Sequence, residues 1–90
     1  MKYIKTYERD IYDLNVNTYV KIKDSSPFFE LANNRIFKIQ RKDNAFFFLL
    51  DIYGNIPDVM SEISKPNVRL LTAEEQKELN ILLSQNKYNL

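Results

Sequence analysis

The chain alternates between apolar and polar residues in several short stretches, and one later stretch repeats its leucines at helical spacing. Tyr19-Val20-Lys21-Ile22-Lys23 alternates strictly. This predicts a strand with Val20 and Ile22 inward and Tyr19, Lys21 and Lys23 outward. Residues 35–42 predict a second strand, Phe37 and Ile39 on one side and Lys38, Gln40 and Lys42 on the other. Residues 45–52 form the centre of the pattern. Phe46, Phe48, Leu50 and Ile52 make an unbroken apolar face, expected to point inward, and Phe47 and Leu49 make the opposite face apolar too. A strand apolar on both sides cannot be an exposed edge, because it would template aggregation. Asp43 and Asp51 flank it as gatekeepers, and Val68-Arg69-Leu70-Leu71 predicts a short last strand.

Turn chemistry separates these pieces. Asp24-Ser25-Ser26-Pro27 ends the first strand, and Phe28, Phe29 and Leu31 follow as a short apolar piece. Asn33-Asn34 suits a turn because Asn tolerates positive φ. Asp43-Asn44 reads as a tight type I′ connection. Tyr53-Gly54-Asn55 holds the only glycine, which marks a turn with unusual backbone angles. Pro57, Val59, Met60 and Ile63 suggest an irregular or strand piece, and Lys65-Pro66-Asn67 another break.

Thr72-Ala73-Glu74-Glu75 is a capping box: the Thr72 hydroxyl should accept from the Glu75 amide while the Glu75 carboxylate accepts from the Thr72 amide. A helix is expected from about Ala73 to Ser84, with Leu79, Leu82 and Leu83 as its apolar stripe. Residues 1–16 are ambiguous. Ile4, Tyr7, Ile11 and Leu14 recur at helical spacing, whereas Tyr12, Leu14 and Val16 alternate, so a short helix and an extended arm both stand.

Ninety residues make one domain, here an N-terminal arm or helix (1–16), a β unit (18–71) and a capped helix (72–85). Six Phe and six Tyr supply the bulk of its core. The absence of cysteine excludes a disulfide framework and a thiolate metal site. No apolar run approaches the roughly 20 residues of a membrane span. The N-terminus has lysine where a signal peptide would be apolar, so a cytoplasmic protein is expected. Abundant Lys, Asn and Ile fit an AT-rich genome, such as a low-GC bacterium or one of its phages.

Several short strands, tight turns and a terminal helix point to a mainly β fold, a small curved barrel. The segments Val20 to Pro27, Ile36 to Ile39, Phe47 to Asp51 and Val68 to Leu71 together resemble small SH3-like barrels of bacterial and phage type, over roughly residues 18–72. That resemblance implies about five short strands, and the fold hosts many functions without selecting one. Related nucleic-acid-binding barrels of the KOW type usually carry a glycine in the second turn. Asn33-Asn34 stands there instead, which speaks against an RNA role by analogy.

Histidine and cysteine, the commonest general base and the soft nucleophile, are absent. The acids have turn-forming, capping or solubilising readings, and one glycine cannot build a phosphate loop. The expectation is a non-enzyme with no cofactor, metal or small-molecule substrate. Two surfaces compete. Tyr19, Lys21, Lys23, Lys38 and Lys42 would form a basic, aromatic nucleic-acid face, against which a net charge of +1 counts. Phe47 and Leu49, with Tyr7 and Tyr12, would form a protein or self-association surface unless the terminal helix or the N-terminal arm covers it. The reading is a small binding protein, phage- or mobile-element-encoded, that occludes or modulates a larger host protein. Nucleic-acid binding and a structural subunit of a larger particle are the alternatives.

Overall fold

The computed structural model describes residues 14–88. Tyr7 and Tyr12, and nearly all of the arm-or-helix reading of residues 1–16, lie outside the described residues. Five strands are present: β1 (Tyr19–Ile22), β2 (Phe37–Lys42), β3 (Phe46–Asp51), β4 (Glu62–Ser64) and β5 (Val68–Leu70). A single helical turn, α1 (Phe29–Ala32), joins β1 to β2, a 3-10 turn (Lys65–Asn67) joins β4 to β5, and α2 (Ala73–Tyr88) closes the described chain. All strand pairs are antiparallel in the order β4-β3-β2-β1-β5. The fold is therefore mainly β with a C-terminal helix. β4 and β5 are the sheet's two edges, so the barrel is not closed by a pairing between them. Both edges are only three residues long, which limits pairing with another chain.

The turns show where local chemistry decides the backbone. Asn33 and Asn34 both take positive φ, at 51° and 59°, and end α1 with a left-handed cap. Gly54 sits at φ 88°. The type I′ turn expected at Asp43-Asn44 does not form, because it needs positive φ at both central residues and neither Asp43 nor Asn44 has it. Instead the Asp43 carboxylate accepts the amides of Ala45 and Phe46 at 2.9 and 2.8 Å. Asp51 does the same at the other end of β3, accepting from Tyr53 and Asn55, both at 2.9 Å. The two aspartates that flank β3 thus staple its turns. Their competition for backbone donors is the ordinary reason Asp favours such positions.

The expected faces of β3 are inverted. Phe47 and Leu49 are fully buried, whereas Phe46 is 41% exposed and Phe48 and Leu50 are only partly covered. A two-residue turn at Asp43-Asn44 would have set Ile39 against Phe48. The observed pairs are Lys42 with Phe47 and Arg41 with Phe48, then a bulge, then Ile39 with Leu49. A shift of one residue moves every side chain to the other side of a sheet, and the bulge between Ile39 and Arg41 supplies that shift. Ladder partners share a face, so Leu49 follows Ile39 inward and Phe47 joins Ile63. The core is Val20, Ile22, Phe37, Ile39, Phe47, Leu49, Ile63 and Val68, with Ala32 of α1. The buried Lys65 places its ammonium 5.4 Å from the Phe47 ring centroid.

The helix α2 runs four residues beyond the predicted Ser84, to Tyr88. Its capping box forms as expected: the Glu75 amide donates to the Thr72 hydroxyl at 3.2 Å and the Thr72 amide donates to the Glu75 carboxylate at 2.9 Å. Leu79 is buried and Leu82 and Leu83 are partly so. Leu79 is not part of the main core.

Candidate functional site

The strand pattern places one set of side chains on the sheet face opposite the core. Three rows lie there. Lys21 of β1 stands beside Arg69 of β5. Tyr19 of β1, Lys38 of β2 and Leu50 of β3 form the next row. Arg41 of β2, Phe48 of β3 and Glu62 of β4 form the last. Phe46 continues the β3 line, opposite Ser64.

The first row is closed. Glu75 at the start of α2 holds Arg69 through two parallel hydrogen bonds of 2.7 and 2.9 Å and stands 3.1 Å from the Lys21 ammonium. Lys21 also donates to Asn34 at 3.1 Å and is only 3% exposed. These donors hold the Glu75 carboxyl well below the usual range, the Arg69 bonds contributing most, then the Thr72 amide, and Lys21 less. The same pair raises the Arg69 guanidinium. Lys21 therefore points away from the core as expected, but onto a glutamate and not into water.

The other two rows are open. The Lys38 ammonium lies 6.0 Å from the Tyr19 ring centroid, and the Arg41 guanidinium carbon lies 4.0 Å from that of Phe48. Both are cation–π distances. Neither cation forms a salt bridge with a carboxylate among the described residues, although Arg41 lies near enough to Asp43 to interact with it electrostatically. The result is a partly exposed strip of Tyr19, Lys38, Leu50, Arg41, Phe48 and Phe46, with Glu62 at its far side.

Only Tyr19 and Lys38 of the predicted nucleic-acid set meet on this strip. Lys42 pairs with the core-facing Phe47, so the bulge has turned it to the other side of the sheet. Lys23 follows β1, partly buried, and its amide donates to the Asn67 carbonyl at 2.8 Å. Phe47 and Leu49, predicted as a protein-facing pair, are core residues at 0% and 1% exposure and present no surface. The sequence reading missed Arg41, Phe48, Leu50 and Phe46 as a group. Their apolar spacing was visible, but the bulge that turns them outward leaves no compositional signal.

A pocket of about 280 Å³ lies on another part of the molecule, between Ile36, Ile52, Tyr53 and the Glu78 and Leu82 side of α2. The carboxylate of Asp43 is held low by the amides of Ala45 and Phe46. Among the described residues no group of three or more carboxylates gathers as a metal site would require, and no helix is long and apolar enough to cross a membrane. Compared with protein-family models, curated proteins and solved structures, the chain matches none of them.

Proposed function

We propose that this chain is a small non-catalytic binding protein that takes a protein partner on the outer face of β1–β3 and acts by occluding or modulating it. One observation carries the reading: the bulge in β2 turns Phe46, Phe48 and Leu50 outward beside Tyr19 and Arg41, while Glu75 in the first turn of α2 closes the other end of the same face. Aromatic residues and arginine are the types enriched where protein interfaces concentrate their affinity. A five-stranded antiparallel sheet whose first and last strands are neighbours also supports the small SH3-like barrel as the fold behind this face. A phage or mobile-element origin fits the composition.

Nucleic acid is the second reading, because the two cation–aromatic pairs could stack bases and contact phosphates. It is the weaker one: Lys21 is neutralised by Glu75 and Lys42 faces the other way, which leaves two cations on the strip. The test is capture from a bacterial lysate by the wild-type chain and by Phe48→Glu, each with and without nuclease, after circular dichroism shows both folded. A protein retained by the wild type, lost with Phe48→Glu and indifferent to nuclease is the expected result. Retention that disappears with nuclease would replace this reading with the second.

A further inference from the structure

The partner's chemistry follows from the contrast between the two ends of the face, and this step rests on the protein-binding reading above. Arg69 and Arg41 stand on the same side of the sheet. Arg69 has its guanidinium fork filled by the Glu75 carboxylate, at 2.7 and 2.9 Å. Arg41 has its guanidinium laid over Phe48 at 4.0 Å, and no carboxylate among the described residues forms a salt bridge with it. Stacking fixes a planar fork in place while leaving the N–H groups at its rim able to donate. A carboxylate arriving there would find a donor already positioned, which removes part of the ordering cost of binding. Lys38 adds a second, point-like cation one row away, held over Tyr19.

We infer that the partner presents an extended segment in which acidic residues alternate with apolar or aromatic ones. Its carboxylates meet Arg41 and Lys38, as Glu75 meets Arg69 and Lys21, and its apolar side chains cover Leu50, Phe46 and the free rim of Phe48. Charge complementarity selects this occupant. The strip carries two cations that no carboxylate bridges among the described residues; Asp43 reaches Arg41 only at longer range, and Glu62 lies beyond Phe48 at the β4 edge. A basic segment would meet Arg41 and Lys38 with like charge. A second copy of this chain would bring the same cationic strip to its own face.

The experiment is a titration of the ¹⁵N-labelled full chain with three probes: a peptide of alternating Glu and Tyr or Leu, the same peptide with Lys for Glu, and an oligothymidylate. The acidic peptide is expected to shift the amides of Lys38, Arg41, Phe48 and Leu50. Its affinity should fall at least tenfold in Arg41→Glu and weaken as salt rises. Equal or tighter binding of the Lys peptide on the same strip would overturn the acidic preference while leaving the face as a protein surface. Preference for the oligothymidylate would overturn both. Absence of any shift with the acidic peptide at millimolar concentration also overturns the acidic preference; the Phe48→Glu capture comparison then judges the protein-binding reading separately. Arg41→Gln, which keeps a polar side chain and removes the charge, separates lost attraction from introduced repulsion and should weaken binding less than Arg41→Glu.

Discussion

Arg69 and Glu75 are joined by two parallel hydrogen bonds, Nη1 to Oε1 at 2.7 Å and Nη2 to Oε2 at 2.9 Å, and this pair fastens the helix α2 to the edge strand β5. Oε1 also accepts the Thr72 amide at 2.9 Å, and Oε2 lies 3.1 Å from the Lys21 ammonium. One carboxylate thus serves as helix cap, strand tie and counter-ion to a buried lysine. Bidentate Arg–carboxylate geometry makes the bond stronger and more specific than an ordinary surface ion pair.

Acid should loosen this tie. The folded-state pKa of Glu75 lies below its ordinary value of 4.5, so its contribution is complete above that value and is lost as pH falls toward the folded one. Urea unfolding at stepped pH should show wild type more stable than Glu75→Gln by about 2–4 kcal/mol near neutrality. The difference should shrink steadily below about pH 4. A gap that does not change with pH would mean that the charge of Glu75 contributes nothing.

Lys21 should behave differently from its partner. Replacing a buried cation by an apolar side chain of similar length removes a desolvation cost along with the attraction. Glu75 keeps Arg69 and the Thr72 amide in that variant. Lys21→Met should therefore fall within about 1 kcal/mol of wild type, whereas Glu75→Ala leaves Lys21 buried without its counter-ion and should cost more. Chemical denaturation of the two variants side by side measures the order.

The inverted faces of β3 have a direct consequence for stability. Phe47→Ala should cost about 3–5 kcal/mol, since the ring is wholly buried in the core. Phe46→Ala, at a position 41% exposed, should cost less than about 1 kcal/mol. Thermal unfolding followed by circular dichroism distinguishes them. Equal losses would restore the uninverted face.

Gly54 tests a backbone effect in isolation. An added Cβ would meet nothing within 4 Å, yet the residue sits at φ 88°. Gly54→Ala should therefore lower stability by about 1 kcal/mol through conformation alone. Denaturant midpoints of the two chains give the comparison, and an unchanged midpoint would show that the turn tolerates a side chain.

Much of the architecture was legible because it rests on local rules. Thr72 and Glu75 announce the start of α2 through a spacing only a helix terminus uses, and Asn33, Asn34 and Gly54 sit where positive φ is required. The faces of β3 were not legible, because both were apolar and a single-residue bulge in β2, which carries no sequence mark, decided between them. The same bulge took Lys42 off the predicted basic face and brought Arg41 onto the strip. The fate of Lys21 depended on Glu75, 54 positions later in the chain, meeting it across the fold. Such a pairing belongs to topology and not to pattern.

The central claim is that the outer strip of β1–β3 is the surface by which this chain meets its partner. A photo-crosslinking phenylalanine analogue placed at position 48, and separately at position 28 on the exposed side of the α1 region, tests it in living bacteria. A protein adduct from position 48, absent from position 28 and diminished by Arg41→Glu, is the predicted result. An adduct that forms from position 28 alone would contradict the account.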